Sequence, residues 1–316
     1  MTQNQTQNQT QTQTINAAER LRRSCHFVPG ANEKMLHKSI DSNADCLILD
    51  LEDAVTPANK DSAREVLSAW LGEVDFRGKE RTVRINPMDS PWGARDLEVT
   101  MRHPPDAYVI PKVATAAEVA EINAQLAHWE TTYDHPANSV ALILICGESP
   151  MSVLNLPDLA RSERVAALTW GAEDLATALG AQRNRDAQGA YLPVFEHCRS
   201  MTLLSATAAA TAPIDTVYAD FKDSAGLAKD CQQAAWMGYT GKLTIHPAQI
   251  DLVNESFSPQ AEDVATARRL VEAFADAERQ GLMAISFEGS MVDVPHLRRA
   301  ERLLARAAAI EATTPK

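Results

Sequence analysis

From residue 25 onward, short apolar runs alternate with longer stretches of helical composition. Residues 25–28, 46–51, 81–86, 108–112, 140–146, 165–170, 215–219 and 241–246 read as strands, with helical patterns at 32–42, 58–71, 92–101, 116–129, 193–212 and 224–237. The run at 140–146 is almost unbroken in hydrophobicity and the one at 165–170 is nearly so, the pattern of strands buried on both faces. Each of these two ends in a short polar stretch, Gly147-Glu148-Ser149 and Gly171-Ala172-Glu173-Asp174. Eight strand–helix units in roughly 230 residues predict an α/β chain closed as a (β/α)8 TIM barrel rather than an open doubly wound sheet. No glycine-rich dinucleotide fingerprint or P-loop follows any strand. Two more helical stretches, 262–280 and 295–309, flank GLMAISFEGSMVDVP, an irregular segment that a barrel does not need. The expected layout is therefore a disordered tail at 1–15, a barrel at 16–257, and a C-terminal helical extension and lid at 258–316. The tail follows from MTQNQTQNQTQTQT, which has nothing to bury.

Composition narrows the partners. The chain has 316 residues, 45% of them hydrophobic, and a formal net charge of −12. That sign argues against nucleic acid or an anionic membrane surface as main partner. No apolar run is long enough to span a bilayer, and no basic start with an apolar middle marks a signal peptide. The five cysteines are scattered, odd in number and without a CxxC pair, so no disulfide framework or zinc site is indicated. A cytoplasmic location is the expectation.

In a barrel of this class the site lies at the C-terminal ends of the strands. Those ends carry Pro29-Gly30, then Asp50, Glu52 and Asp53, Arg84 and Asn86, Lys112, Glu148, Glu173 and Asp174, Asp220 and His246. Carboxylates converging from neighbouring strands suit a hard cation such as Mg²⁺. Arg84 is an obligatory cation whose planar fork fits a carboxylate or a developing oxyanion. Plainer roles exist for most of the set. Glu148 and Glu173 could be helix-start charges, the acids after the second strand could pair with Arg84, Lys112 could be an ion-pair partner, and His246-Pro247 could simply open a helix.

The ordered stretches RSCHFVPGANEKM, DCLILDLEDAV, RTVRINP, GES, LTWGAEDLATALGA, VYADFKDSAGL, GYTGKLTIHPAQI and FEGSMVDVP cover nearly everything after the tail. In them the chain resembles the citrate lyase β-subunit-like family of the HpcH/HpaI aldolase superfamily, and within it the free-standing lyases of malyl-CoA or citramalyl-CoA. The resemblance implies a (β/α)8 barrel assembled as a homotrimer or hexamer. It implies Mg²⁺, with Mn²⁺ as an alternative, held by Glu148 and Asp174, and catalytic roles for Arg84, Glu52 and Asp53. It also implies an aspartate carried by a C-terminal segment onto a neighbouring subunit's site, which falls on Asp293. Arg23 and, more weakly, Lys34 fall where CoA would be held. The implied substrates are an acyl-CoA and a 2-oxo acid. The implied reaction is reversible Claisen-type cleavage to acetyl-CoA and glyoxylate or pyruvate. Rival readings are the β-subunit of citrate lyase acting on a citryl carrier-protein thioester, aldol cleavage of a free hydroxy-oxo acid, a malyl-CoA thioesterase, and a non-catalytic binding or scaffold protein. The chain departs from the family at Gly147-Glu148-Ser149 followed by Ser152, and along LPVFEHCRSM.

Overall fold

The computed structural model describes residues 20–30, 32–279 and 281–313. The tail expected at 1–15 and the first residues assigned to the barrel lie outside the described residues. Eight parallel strands close in chain order: β1 (Ser24–Pro29), β2 (Cys46–Asp50), β3 (Glu80–Arg84), β4 (Ala107–Ile110), β5 (Ala141–Cys146), β6 (Val165–Trp170), β7 (Ala212–Asp215) and β8 (Gly241–Thr244), which pairs back onto β1. The expected (β/α)8 barrel is the observed one.

Alternation along the strands sorts the apolar residues into two cores. Cys25, Cys46, Ile48, Ala107, Val109, Ile143, Ile145, Ala167, Ile214 and Leu243 fill the barrel interior. Val28, Leu47, Leu49, Val83, Tyr108, Leu142, Leu144 and Leu168 face the surrounding helices. Leu47 and Leu49 are fully buried; truncating either to alanine would cost about 2–5 kcal/mol. All five cysteines are free and buried.

The helices that matter for the site are α1 (Glu33–Ile40), α2 (Lys60–Glu73), α3 (Gly93–Thr100), α4 (Ala116–Thr132), α5 (Pro150–Leu154), α6 (Leu156–Ala160), α7 (Ala172–Leu179), α8 (Pro193–Ala208), α9 (Ser224–Met237) and α10 (Ile250–Ser256). Their starts are written locally. The Thr115 hydroxyl accepts the Glu118 amide ahead of α4, and Ser149 accepts the Ser152 amide ahead of α5, with Pro150 in the first turn.

One strand departs from the pattern. The expected seventh strand at 215–219 is corrected to Ala212–Asp215, and the helix expected to reach 212 ends at Ala208. Ala210 takes a left-handed φ of 56° and the Thr211 amide returns to the Ala206 carbonyl, which stops the helix early. Pro213 hides the strand from a pattern reading because it has no donor, yet its carbonyl still accepts the Thr240 amide at 2.9 Å.

Beyond the barrel, α11 (Ala261–Arg279) and α12 (Val294–Thr313) pack on each other through Leu270, Phe274, Val292 and Ala300. The stretch between them, expected to be irregular, contains a hairpin of β9 (Ala284–Phe287) and β10 (Ser290–Asp293). Its tip is Glu288-Gly289, with φ of 47° and 82°, the doubly left-handed pair that a two-residue hairpin turn requires. The extension is anchored by Arg306, whose guanidinium donates to the carbonyls of Phe257 and Thr240. Thr240 precedes β8, so this anchor grips the N-terminal end of the barrel. No helix among the described residues is long and apolar enough to cross a membrane.

Candidate active site

Asp50 ends β2 and Arg84 ends β3, and the two are register partners. Arg84 donates from Nε and Nη2 to the two oxygens of Asp50, each at 2.7 Å, the parallel fork that guanidinium and carboxylate make best. Asp50 also accepts the amides of Glu52 and Ala54. It therefore works as an orienting group, fixing both the arginine and the loop that carries the next acids. Arg84 Nη1 stands 2.9 Å from Glu52 and 3.7 Å from Asp53, and the guanidinium lies over the Phe27 ring. Opposing anions outweigh the cost of burial and hold Arg84 firmly charged.

The loop is pinned from behind. Buried Lys60 donates to the carbonyls of Leu51 and Glu52 at 2.7 and 2.6 Å, and Asn86 donates to Leu51 as well. Gly30 donates its amide to the Asp50 carbonyl, and a β-carbon there would sit 2.2 Å from that oxygen. Only glycine fits this approach.

Across the mouth, β5 leads through Gly147, in the left-handed region, to Glu148. Ser152 accepts the Gly147 amide at 2.9 Å and donates to the Val113 carbonyl at 2.7 Å. The residue that departs from the family pattern thus ties the end of β5 to the segment after β4. The Lys112 amide donates to Glu148 Oε2, and Lys112 itself adopts a left-handed φ of 54°. Its Nζ donates to Glu52 Oε1 at 2.9 Å and stands 3.9 Å from Asp174 in the first turn of α7. One lysine therefore touches three of the acids. Gly171 opens the space beside Glu148, since a β-carbon there would come within 2.5 Å of Glu148 Cγ.

Charge sets what this mouth can do. Asp50, Glu52, Asp53, Glu148 and Asp174 gather here against Arg84, Lys112 and, behind the loop, Lys60. Burial, reinforced by the charges of Asp174 and Glu52, pushes the Glu148 carboxyl up to about 8 even though it accepts an amide. Burial also raises Glu52 despite Arg84 and Lys112. Glu52 Oε2 is buried without a hydrogen bond of good geometry, although Arg84 Nη1 is near. A carboxyl that is costly to ionise, beside a second carboxylate and with oxygen donors only, fits a divalent hard cation completed by water and substrate oxygens. No cluster of three or more His, Cys, Asp or Glu side chains with metal-holding geometry occurs among the described residues. Mg²⁺ needs only one or two protein carboxylates. Glu148 and Asp174, whose charges act on each other, could supply them.

The remaining expected residues separate. Asp53 is exposed at the rim. Lys34 is exposed on α1, on the mouth side of β1. Arg23 is corrected: it precedes β1 at the opposite end of the barrel and forks onto Asp45, whose oxygens it meets at 2.8 Å. A residue locked there does not reach a ligand at the mouth. Asp293 closes β10, about 20 Å of helix away from Arg306 at 1.5 Å per residue. Asp220 is exposed on the loop after β7, and Asp215 takes the strand-end position instead. His246 caps a short turn containing Pro247 and stacks on Phe221.

Pattern reading missed a buried ion network behind the mouth. Asp215 accepts Arg199 Nη2, Lys242 Nζ and the Trp170 indole, while Lys242 also reaches Asp230 and Arg185 meets Asp230 from the loop before α8. The signal was present as Arg199 on α8 and Lys242 in β8, polar residues at positions whose neighbours are apolar.

Three comparisons bear on this geometry. A family model described as HpcH/HpaI aldolase/citrate lyase matches residues 23–247. The chain is 37% identical to the citrate lyase subunit beta of Escherichia coli K12 over 289 residues, 91% of this chain and 94% of that protein. It is 35% identical to a (3S)-malyl-CoA thioesterase of Cereibacter sphaeroides, covering 92% of this chain and 96% of the relative. Among solved structures, Mycobacterium tuberculosis CitE in complex with magnesium, acetoacetate and coenzyme A superimposes with a TM-score of 0.74 at 34% identity, covering 90% and 97% of the two chains.

Proposed function

The chain belongs to the HpcH/HpaI aldolase/citrate lyase family, and on that premise we propose that it is a Mg²⁺-dependent carbon–carbon lyase. Its proposed substrate is a 3-hydroxyacyl-CoA of the malyl-CoA or citramalyl-CoA type, cleaved reversibly to acetyl-CoA and glyoxylate or pyruvate. The observation that carries the reading is the buried Glu148 carboxyl beside Asp174, in a mouth whose acids outnumber its cations. Magnesium and coenzyme A in the related CitE structure support the same assignment.

Glu148 and Asp174 would hold Mg²⁺, which when bound supplies Lewis-acid polarisation and a template for substrate oxygens. Gly171 and the Lys112 amide keep Glu148 in position. Arg84, oriented by Asp50, offers Nη1 to the oxyanion that develops as the bond breaks. Glu52, whose Oε2 lies against Arg84 Nη1 and whose burial raises its affinity for protons, is assigned the hydroxyl proton. Asp53 adds charge at the rim and holds the outer side of Arg84. The electrons of the broken bond pass to the thioester enolate, whose carbon then needs a proton.

We assign that proton to Asp293 of a neighbouring copy. Within its own chain Asp293 sits on a hairpin between the two long helices α11 and α12, and Leu282, Met283 and Met291 around that hairpin are exposed. These features support a lid over a second subunit in a homotrimer or hexamer. The test is complementation: Asp293→Asn and Glu148→Gln should each be inactive alone and regain activity when mixed and allowed to exchange subunits. No recovery in the mixture, with both variants assembled, would overturn the shared site.

A second reading is favoured by the similarity to the (3S)-malyl-CoA thioesterase. There the same site would hydrolyse the thioester, giving free CoA and malate with no 2-oxo acid. The product separates the two.

A further inference from the structure

Asp293 ends β10 as the register partner of Ala284, and α12 begins at the next residue. Three positions on, in the first turn of that helix, stands His296. Its Nδ1 lies 2.5 Å from Asp293 Oδ1 and accepts the Asp293 amide at 3.3 Å. The hairpin fixes one partner and the helix fixes the other. Both side chains are about half exposed, at 40% and 52%.

We propose that His296 is a positioning residue for Asp293: through the Nδ1–Oδ1 contact it orients the carboxyl on the lid. This rests on the reading of Asp293 as the acid for the enolate. The balance is simple. Asp293 gives one proton to carbon and takes one back from solvent, matching the proton that the substrate hydroxyl releases. In the condensation direction the same steps run backwards, with Asp293 taking a proton from the methyl group of acetyl-CoA. An N-terminal cap on α12 is the plain alternative for this pair. A cap would affect folding of the lid but not the proton step in particular.

The test uses full-length protein and the variants His296→Leu, His296→Asn, His296→Gln and Asp293→Asn. The readouts are kcat and KM for citramalyl-CoA and malyl-CoA, thermal stability, and exchange of the acetyl-CoA methyl protons with D₂O. Loss of the orienting partner should lower kcat and the exchange rate in His296→Leu by roughly 10- to 100-fold, with KM little changed. His296→Asn puts a polar amide where Nδ1 stood and should recover most of both rates. His296→Gln places its amide further out and should not. Wild-type exchange in His296→Leu while Asp293→Asn is inactive would overturn the proposal and leave a cap. Full activity in Asp293→Asn would remove the reading beneath it. If the leucine variant fails to fold, the contrast between asparagine and glutamine decides alone.

Discussion

Replacing Arg84 by methionine removes the only cation that meets both oxygens of Asp50. The side chains of Asp50 and Glu52 are 3% and 5% exposed, so neither carboxylate can recover its lost partner from water. Breaking one side of a buried pair costs about 3–5 kcal/mol. Asp50 keeps the amides of Glu52 and Ala54, and Glu52 keeps Lys112, which sets the loss near the lower end, about 3 kcal/mol. For a chain of 316 residues that corresponds to roughly 4–5 °C in Tm. The loss also carries a pH signature. Without the guanidinium, Glu52, already raised by burial, binds its proton still more tightly folded than unfolded, so the penalty is absent below its unfolded range near pH 4 and grows as pH rises. Thermal and urea denaturation at pH 5 and pH 8 should therefore show a larger deficit at pH 8. Asp50→Asn added to Arg84→Met should return much of it, giving a strongly non-additive cycle. Unchanged stability at pH 8, or simple additivity, would refute the claim that Arg84 is held by these two acids.

Glu148, pushed up to about 8 and near 4.5 when unfolded, penalises the fold increasingly as pH rises through that interval. Cation binding should then release a proton, with apparent Mg²⁺ affinity rising about tenfold from pH 7 to pH 9; calorimetry in buffers of different ionisation enthalpy checks this, and Glu148→Gln should abolish the release. Gly171→Ala drives a β-carbon against Glu148 and should weaken Mg²⁺ binding by about tenfold or more while the barrel still folds; equal affinity by titration would contradict the packing. Asp215 is held well below the usual carboxylate range because Lys242 and Arg199 outweigh its burial. Its contribution is present above the unfolded value near 3.8 and is lost as pH falls further, so Asp215→Asn should cost about 3–5 kcal/mol at pH 7 and much less at pH 2–3, as read by urea denaturation.

The barrel was legible because its strands are buried on both faces, which writes continuous apolar runs such as 140–146 and 165–170. The mouth was legible for the same reason: polar residues directly after such runs have few structural reasons to be there. What pattern could not give were features that depend on a second segment. Pro213 and the early stop at Ala208 moved β7, and with it replaced exposed Asp220 by buried Asp215. Arg23 looked like a ligand-facing cation until its place ahead of β1 and its fork onto Asp45 put it at the other end. The hairpin before α12 was hidden because its register depends on a two-residue turn rather than on long alternation. Ser152, a departure in sequence, proves to be a strut between Gly147 and Val113.

The central claim is carbon–carbon cleavage at the Glu148–Asp174 mouth. The most direct measurement is 2-oxo acid release from malyl-CoA and citramalyl-CoA, each with Mg²⁺ and with EDTA, alongside free CoA. The account predicts glyoxylate or pyruvate formed together with acetyl-CoA, dependent on Mg²⁺ and absent in Glu148→Gln. Free CoA without any 2-oxo acid, or cleavage indifferent to EDTA, would contradict it.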